Sequence, residues 1–287
     1  MDKHRILIAG GDMRQLYCAE RLSRDFEIGL IGFDSKNLAD HTGLTAADIS
    51  AHKYYDCALL PVLPFSDDGN IYTPCSSEKL TAELVSSLIA DNSTVFAGKV
   101  NAELKEAFQG FEIYDYMLSE ELNIKNAVPT AEGAVQLALE ELPVTLNGLK
   151  VLIVGMGRIG TALVRILQGF GADITAAVHN SRGAAKAKLH GIKAVPTKRL
   201  GGDYGLVFNT VPQLVLDHDK LAEFSNNTLF IDLASKPGGI DFEAALSLGL
   251  KVIWALGLPG KTAPVTAGEI IAETVISKLE ERGEAIE

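Results

Sequence analysis

The segment "LKVLIVGMGRIGTALVRILQGFGADITAAVHN" (149–180) decides the fold. Val151 to Val154 is a short apolar strand, and Ile159 to Phe170 repeats apolar residues at helical spacing. Between them Gly155, Gly157 and Gly160 stand in G-x-G-x-x-G order, and a second strand follows. That sequence of parts is a dinucleotide-binding unit. Gly155 permits a tight turn, Gly157 lets backbone approach a pyrophosphate, and Gly160 lets helix and strand pack closely. The pyrophosphate then lies on the helix N-terminus, where N–H groups and the dipole favour negative charge. Met156, Arg158 and Ile159 complete the turn as candidate cofactor contacts.

About twenty residues on, such units carry an Asp or Glu that grips the adenosine ribose. Here "AVHNSRG" (177–183) offers only His179, Asn180, Ser181 and Arg182. An acid there would repel a 2′-phosphate. Asn180 and Ser181 can donate to one, and Arg182 can form a charge-assisted pair. A hydrogen bond to a charged group contributes about 1.5–3 kcal/mol, enough for tenfold or greater discrimination. The expected cofactor is therefore NADP rather than NAD.

A second opening of the same kind, "RILIAGGDMRQLYCAERLSRDFEIGLIGFD" (5–34), begins the chain. Its glycines lack the dinucleotide spacing, and Asp12 at the helix start disfavours a phosphate, so no second dinucleotide is expected there. Asp12 caps a helix to about Arg24. Further strands are expected in 56–64, 94–100, 111–116, 204–212, 228–235 and 251–260, with helices over 79–90, 126–142 and 267–282. The fold class is α/β, with two doubly wound parallel-sheet, Rossmann-like domains joined by crossing helices. The expected boundaries are 1–127 for a substrate domain, 128–266 for the NADP-binding domain, and 267–287 for a helix packing back on the first domain.

Bulk composition narrows the partners. The 287 residues carry net charge −11, which argues against nucleic acid or an anionic membrane surface as ligand. Three cysteines, Cys18, Cys57 and Cys75, form no disulfide framework and fit a reduced, cytoplasmic setting. No signal-peptide core or membrane-length apolar run is present. No metal-ligand spacing stands out, so no metal is expected.

The loops after the strands supply the substrate side. In the nucleotide domain "NTVP" places Asn209, Thr210, Val211 and Pro212 where the ribose and nicotinamide are bordered. "LASKPGG" adds Ser235 and Lys236, and "GLPGKTAPVTAGE" adds Lys261, Thr262 and Thr266. Thr266 is alternatively a helix cap, as is Thr130 in "VPTAEG", which also carries Glu132. Arg14 lies close to a strand end and can bind a carboxylate. A 2-hydroxyacid dehydrogenase needs a histidine base. None of His4, His41, His52, His179, His190 and His218 follows a late strand of the second domain. Oxidation that ends in an aromatic ring would need no strong protein base.

"GGDMRQL", "NAVPTAEGA", "VLIVGMGRIG", "VFNTVP", "IDLASKPGG" and "LGLPGKTAPVTAG" occur in the order seen in the A-subunit family of dipicolinate synthase, which this chain resembles nearly end to end. The resemblance implies an enzyme of sporulating bacteria, acting in the mother cell. It would form pyridine-2,6-dicarboxylate from 4-hydroxytetrahydrodipicolinate or its dihydro form with NADP and a flavoprotein-like B subunit; homo-oligomers are also expected. For a small dicarboxylate substrate, Arg14, Lys236 and Lys261 are candidate carboxylate ligands, with Thr130, Ser235, Thr262 and Thr266 nearby. Asp12, Glu132 or a water would accept the proton, and Lys261 is placed with the catalytic group. Two alternatives stand beside this reading. One is another NADP-dependent dehydrogenase of the shikimate dehydrogenase kind; the other is a non-catalytic NADP-sensing subunit.

Overall fold

A computed structural model describes residues 3–39, 41, 43–47 and 54–283; His52 lies outside them. The chain divides into two compact units, one of residues up to Lys125 together with those from Ala263, the other spanning Asn126–Thr262.

The first unit is a five-stranded sheet of β1 (Arg5–Ala9), β2 (Glu27–Ile31), β3 (Tyr55–Leu59), β4 (Ile89–Ala97) and β5 (Glu112–Asp115), in the order β2-β1-β3-β4-β5. Every pairing is parallel. Side chains alternate across it. Ile6, Ile8, Cys57, Leu59 and Phe96 enter one apolar layer. Leu7, Ala9, Ala58, Val95 and Ala97 enter the other. Each large buried aliphatic side chain contributes about 1.5–3 kcal/mol, so the apolar runs specify strands covered on both faces. Asp12 caps the helix Met13–Leu22 by accepting from the Arg14 N–H. Helix Pro264–Glu281 packs against that helix. A side chain at Gly268 would stand 2.5 Å from the Arg14 carbonyl oxygen, so the two backbones meet directly.

The second unit is a six-stranded sheet of β6 (Lys150–Val154), β7 (Asp173–Val178), β8 (Lys193–Pro196), β9 (Leu206–Asn209), β10 (Leu229–Asp232) and β11 (Lys251–Trp254), in the order β11-β10-β9-β6-β7-β8. It too is parallel throughout. Val151 and Ile153 face one core layer and Leu152 and Val154 the other.

Four local features differ from the sequence expectation. The helix expected over 79–90 is Ala82–Leu88, because the chain at Ile89 already joins β4. The helix expected from 126 runs Glu120–Glu141, with Pro129 inside it. Thr130 is therefore no cap; its hydroxyl donates to the Asn126 carbonyl one turn back, at 2.7 Å. Thr266 is not a cap either, since its helix starts at Pro264 after Ala263.

Candidate functional site

In the second unit the glycine turn joins β6 to the helix Arg158–Gly169. Gly155 has φ +96°, and a side chain on it would stand 2.6 Å from Thr210 Oγ1. A side chain at Gly160 would stand 2.0 Å from the Gly155 carbonyl oxygen. Packing thus accounts for both glycines, including Gly155. Gly157 is different: its φ is −79° and nothing lies within 4 Å of where a Cβ would be. The protein itself does not require glycine there, so the open space is left for a ligand's approach.

The same point is the N-cap of helix Arg158–Gly169, and it has no side-chain cap and no acid in its first turn. The helices starting at Met13, Ala82, Ala102, Ser181, His218 and Phe242 all have a side-chain acceptor at this position. The free N–H groups and helix dipole at Arg158 suit a pyrophosphate. Met156 turns its side chain into the core, 6% exposed, while Gly157 and Arg158 are exposed and Ile159 is half-buried against the core.

Asn180 caps the helix Ser181–Leu189, its Oδ1 accepting from the Gly183 N–H at 2.9 Å. Its Nδ2 meets His179 Nε2 at 3.0 Å. Ser181 and Arg182 open that helix, both exposed. The structure adds a residue that sequence reasoning missed. Lys186 reaches back so that its Nζ donates to the Met156 carbonyl oxygen, 3.1 Å away. A cation thereby joins the glycine turn to the helix that follows β7. The sequence holds a signal for it: residues 174–202 contain six Lys or Arg and no Asp or Glu, within a chain of net charge −11.

The loop after β9 is braced from beneath. Asn209 is fully buried; its Nδ2 donates to the Val211 carbonyl and to Asp232 Oδ1, and its Oδ1 accepts from the Val211 N–H. Its side chain supports the loop and does not reach its surface. Thr210 Oγ1 donates to the Val154 carbonyl at 2.9 Å, tying β9 to the glycine turn. Val211 is half-buried and Pro212 exposed. Asp232, also missed, is fully buried at the end of β10 and accepts from Asn209, the Ala234 N–H and the Gly239 N–H. Trp254 Nε1 donates to the Ala234 carbonyl, fixing the same loop. Ser235 is buried in that braced loop, and Lys236 projects from it, exposed.

Lys261 and Thr262 end the short helix Leu258–Thr262; Lys261 is exposed, and the Thr262 hydroxyl donates to the Leu258 carbonyl. Glu132 is exposed on its long helix, and Thr266 is exposed in the first turn of helix Pro264–Glu281. Asp12 and Arg14, expected as base and carboxylate ligand, bind each other through Arg14 Nε and Nη2 at 2.7–3.2 Å. Among the described residues no three His, Cys, Asp or Glu gather as a metal site. No described helix is long and apolar enough to cross a membrane.

Comparison with known proteins agrees with this layout. Residues 5–117 match the family model of the dipicolinate synthase A-subunit N-terminal domain. Residues 125–247 match that of the D-isomer specific 2-hydroxyacid dehydrogenase NAD-binding domain. The chain is 32% identical over 286 residues to the A subunit of dipicolinate synthase from Bacillus subtilis (strain 168), covering 96% of this chain and 95% of that protein. The crystal structure of the A subunit of dipicolinate synthase from Bacillus halodurans superposes with TM-score 0.87 at 31% identity, covering 97% of this chain and 98% of that one. That of its Bacillus subtilis counterpart gives 0.85 at 31%, covering 98% and 97%. The second unit is thus a nicotinamide-dinucleotide-binding domain of the dehydrogenase type, and the chain belongs to the A-subunit family of dipicolinate synthase.

Proposed function

We propose that this chain is the NADP-dependent oxidoreductase subunit that forms pyridine-2,6-dicarboxylate. Its substrate is 4-hydroxytetrahydrodipicolinate or the dihydro compound left after loss of water. From the dihydro ring one hydride and one proton must leave to give the aromatic product. The nicotinamide supplies the hydride acceptor when bound. The residues of the chain bind, orient and hold.

The observation that carries the cofactor choice is the acid-free, cationic edge of the nucleotide unit. Arg182 opens the helix after β7, Lys186 bridges back to Met156, and no carboxylate stands between residues 174 and 202. A 2′-phosphate gains from both cations and from the first N–H groups of that helix. The same edge offers a ribose 2′-hydroxyl no carboxylate acceptor. Gly157, Arg158 and Ile159 meet the pyrophosphate, and the loop of Thr210, Val211 and Pro212, held by buried Asn209, borders the nicotinamide. Lys236 and Lys261 are exposed cations for the substrate's carboxylates, with Ser235, Thr262, Thr266 and Thr130 as polar neighbours. Glu132, exposed and in a helix, is placed to pass a proton to water. The partner is a flavoprotein-like B subunit, since the relative's name marks it as one component of a larger synthase. The setting is the mother-cell cytoplasm of a sporulating bacterium.

The test mixes the purified chain, with and without its B partner, with the dihydro precursor and either NADP or NAD. Ultraviolet absorption of the pyridine product and formation of the reduced cofactor are followed together. The expected result is coupled appearance of both, with at least about tenfold preference for NADP. No turnover even with the partner present refutes the activity; equal use of NAD refutes the cofactor choice.

A further inference from the structure

The first unit carries a small-ligand site of its own. In an open parallel sheet, ligands bind beyond the carboxyl ends of the strands at the point where strand order reverses. The order β2-β1-β3-β4-β5 puts that point between β1 and β3. The glycine turn after β1 is closed there: a side chain at Gly10 would meet the Tyr72 carbonyl oxygen at 2.8 Å, and the Gly11 N–H already donates to it. A pyrophosphate has no room. What the switch point does present is Arg14 and Gln15, at the start of helix Met13–Leu22.

The Arg14 side chain is 18% exposed. Burial works against its charge, but the hydrogen bonds and charge of Asp12 outweigh burial and raise its pKa above the ordinary value. Asp12 takes Nε and one hydrogen of Nη2. Nη1 donates to nothing among the described residues. The guanidinium is thus locked in orientation with one edge engaged and another edge free. Beside it Gln15 is 1% exposed; its Nε2 donates to the Leu60 carbonyl just past the end of β3, as does the Tyr116 hydroxyl. Gln15 Oε1 is buried and meets no donor. A buried acceptor left unpaired is costly and rare, so this one points to a donor supplied from outside the chain.

We propose that the first unit holds a small carboxylate at the β1/β3 switch point, received by the free Nη1 edge of Arg14. Asp12 serves there as the positioning partner of Arg14 and not as a proton acceptor. The unpaired Gln15 Oε1 favours acids that carry an O–H or N–H group next to the carboxylate. That the acid is the dicarboxylate of the reaction rests on the function proposed above; that the site binds a carboxylate does not.

Calorimetry on the full chain, with pyridine-2,6-dicarboxylate and its 4-hydroxy derivative as probes, tests the site without turnover. Wild type should bind both, and R14K should weaken both about tenfold or more, because an ammonium lacks the second, oriented N–H edge. NADPH affinity should not move. D12N keeps the helix cap but loosens the guanidinium, so KM should rise about tenfold with kcat falling less than about threefold. Wild type that binds neither probe at millimolar concentration, or R14K that binds within twofold of wild type, overturns the site. A D12N enzyme with unchanged KM and a hundredfold lower kcat overturns the role of Asp12. Arg14-dependent binding in a protein with no turnover leaves the site standing and removes only its assignment to the reaction.

Discussion

The two units start alike, with an apolar parallel strand, a glycine-bearing turn and a helix, yet the turns have opposite fates. After β1, Gly10 at φ +69° lies under the Tyr72 carbonyl and Thr73, and Asp12 caps the helix. After β6, Gly157 faces open space and the helix has no cap. In the first unit the chain itself fills the mouth of the turn and satisfies the helix end. In the second both are left for a ligand. A glycine turn is therefore read best by asking what would touch a Cβ: protein in one case, nothing in the other.

The carboxyl end of the second sheet is braced by a buried polar network, and the largest effect is expected there. Asp232→Ala leaves three buried donors without an acceptor, on Asn209, Ala234 and Gly239. It should cost about 4 kcal/mol of stability, read by denaturant unfolding, and a loss below about 1 kcal/mol would show the network to be dispensable. Gly157→Ala should leave stability nearly unchanged, because its backbone and surroundings accept a methyl group. It should weaken dinucleotide binding about a hundredfold, roughly 2.7 kcal/mol. Fluorescence titration with NADPH decides it, and unaltered affinity would remove the turn from the site. Gly10→Ala should do the reverse, lowering stability by about 2 kcal/mol through the left-handed backbone and the Tyr72 contact, with NADPH binding untouched. Arg182→Gln and Lys186→Met should each lower NADPH affinity about tenfold and NADH affinity little. Equal losses for both cofactors would place these cations on the pyrophosphate instead. Smallest is the thiol response. Cys18 and Cys57 are buried, and burial pushes the Cys18 thiol well up. Cys75 is half-buried, and burial followed by Asp12 and Asp34 raises it too. A native chain should show at most one thiol to a disulfide reagent, slowly, and three after denaturation.

Much of the fold is legible in the sequence because its signals are local. Short apolar runs ending at glycine or polar residues mark both parallel sheets, and the spacing of Gly155, Gly157 and Gly160 marks the nucleotide turn. Pro129 and Thr130 mislead because Pro-Thr is a common helix opening. The helix instead starts nine residues before Pro129, at Glu120, and tolerates the proline inside, where its missing N–H frees the carbonyl four residues back. Lys186 cannot be found from neighbours in sequence, since only the helical turn brings it to Met156. Asn209 and Asp232 become partners only when β9 and β10 are known to be adjacent and in register. Asp12 and Arg14 stand out as polar residues after a strand end, but their mutual pairing depends on how the side chains lie at the helix start.

The first unit is built from two separated stretches of chain, with the second unit inserted between them. The layer under β1 and β3 includes Ile270, Ile271, Ala272, Val275 and Leu279, all from helix Pro264–Glu281. During synthesis the first strands therefore wait, with an apolar face uncovered, until this helix emerges, while the nucleotide unit has all its strands by Trp254 and can fold alone. Order of assembly thus runs against order of translation: the inserted, later-made half completes first. A ribosome stalled once residue 262 has cleared its exit would carry a finished nucleotide unit beside an open one.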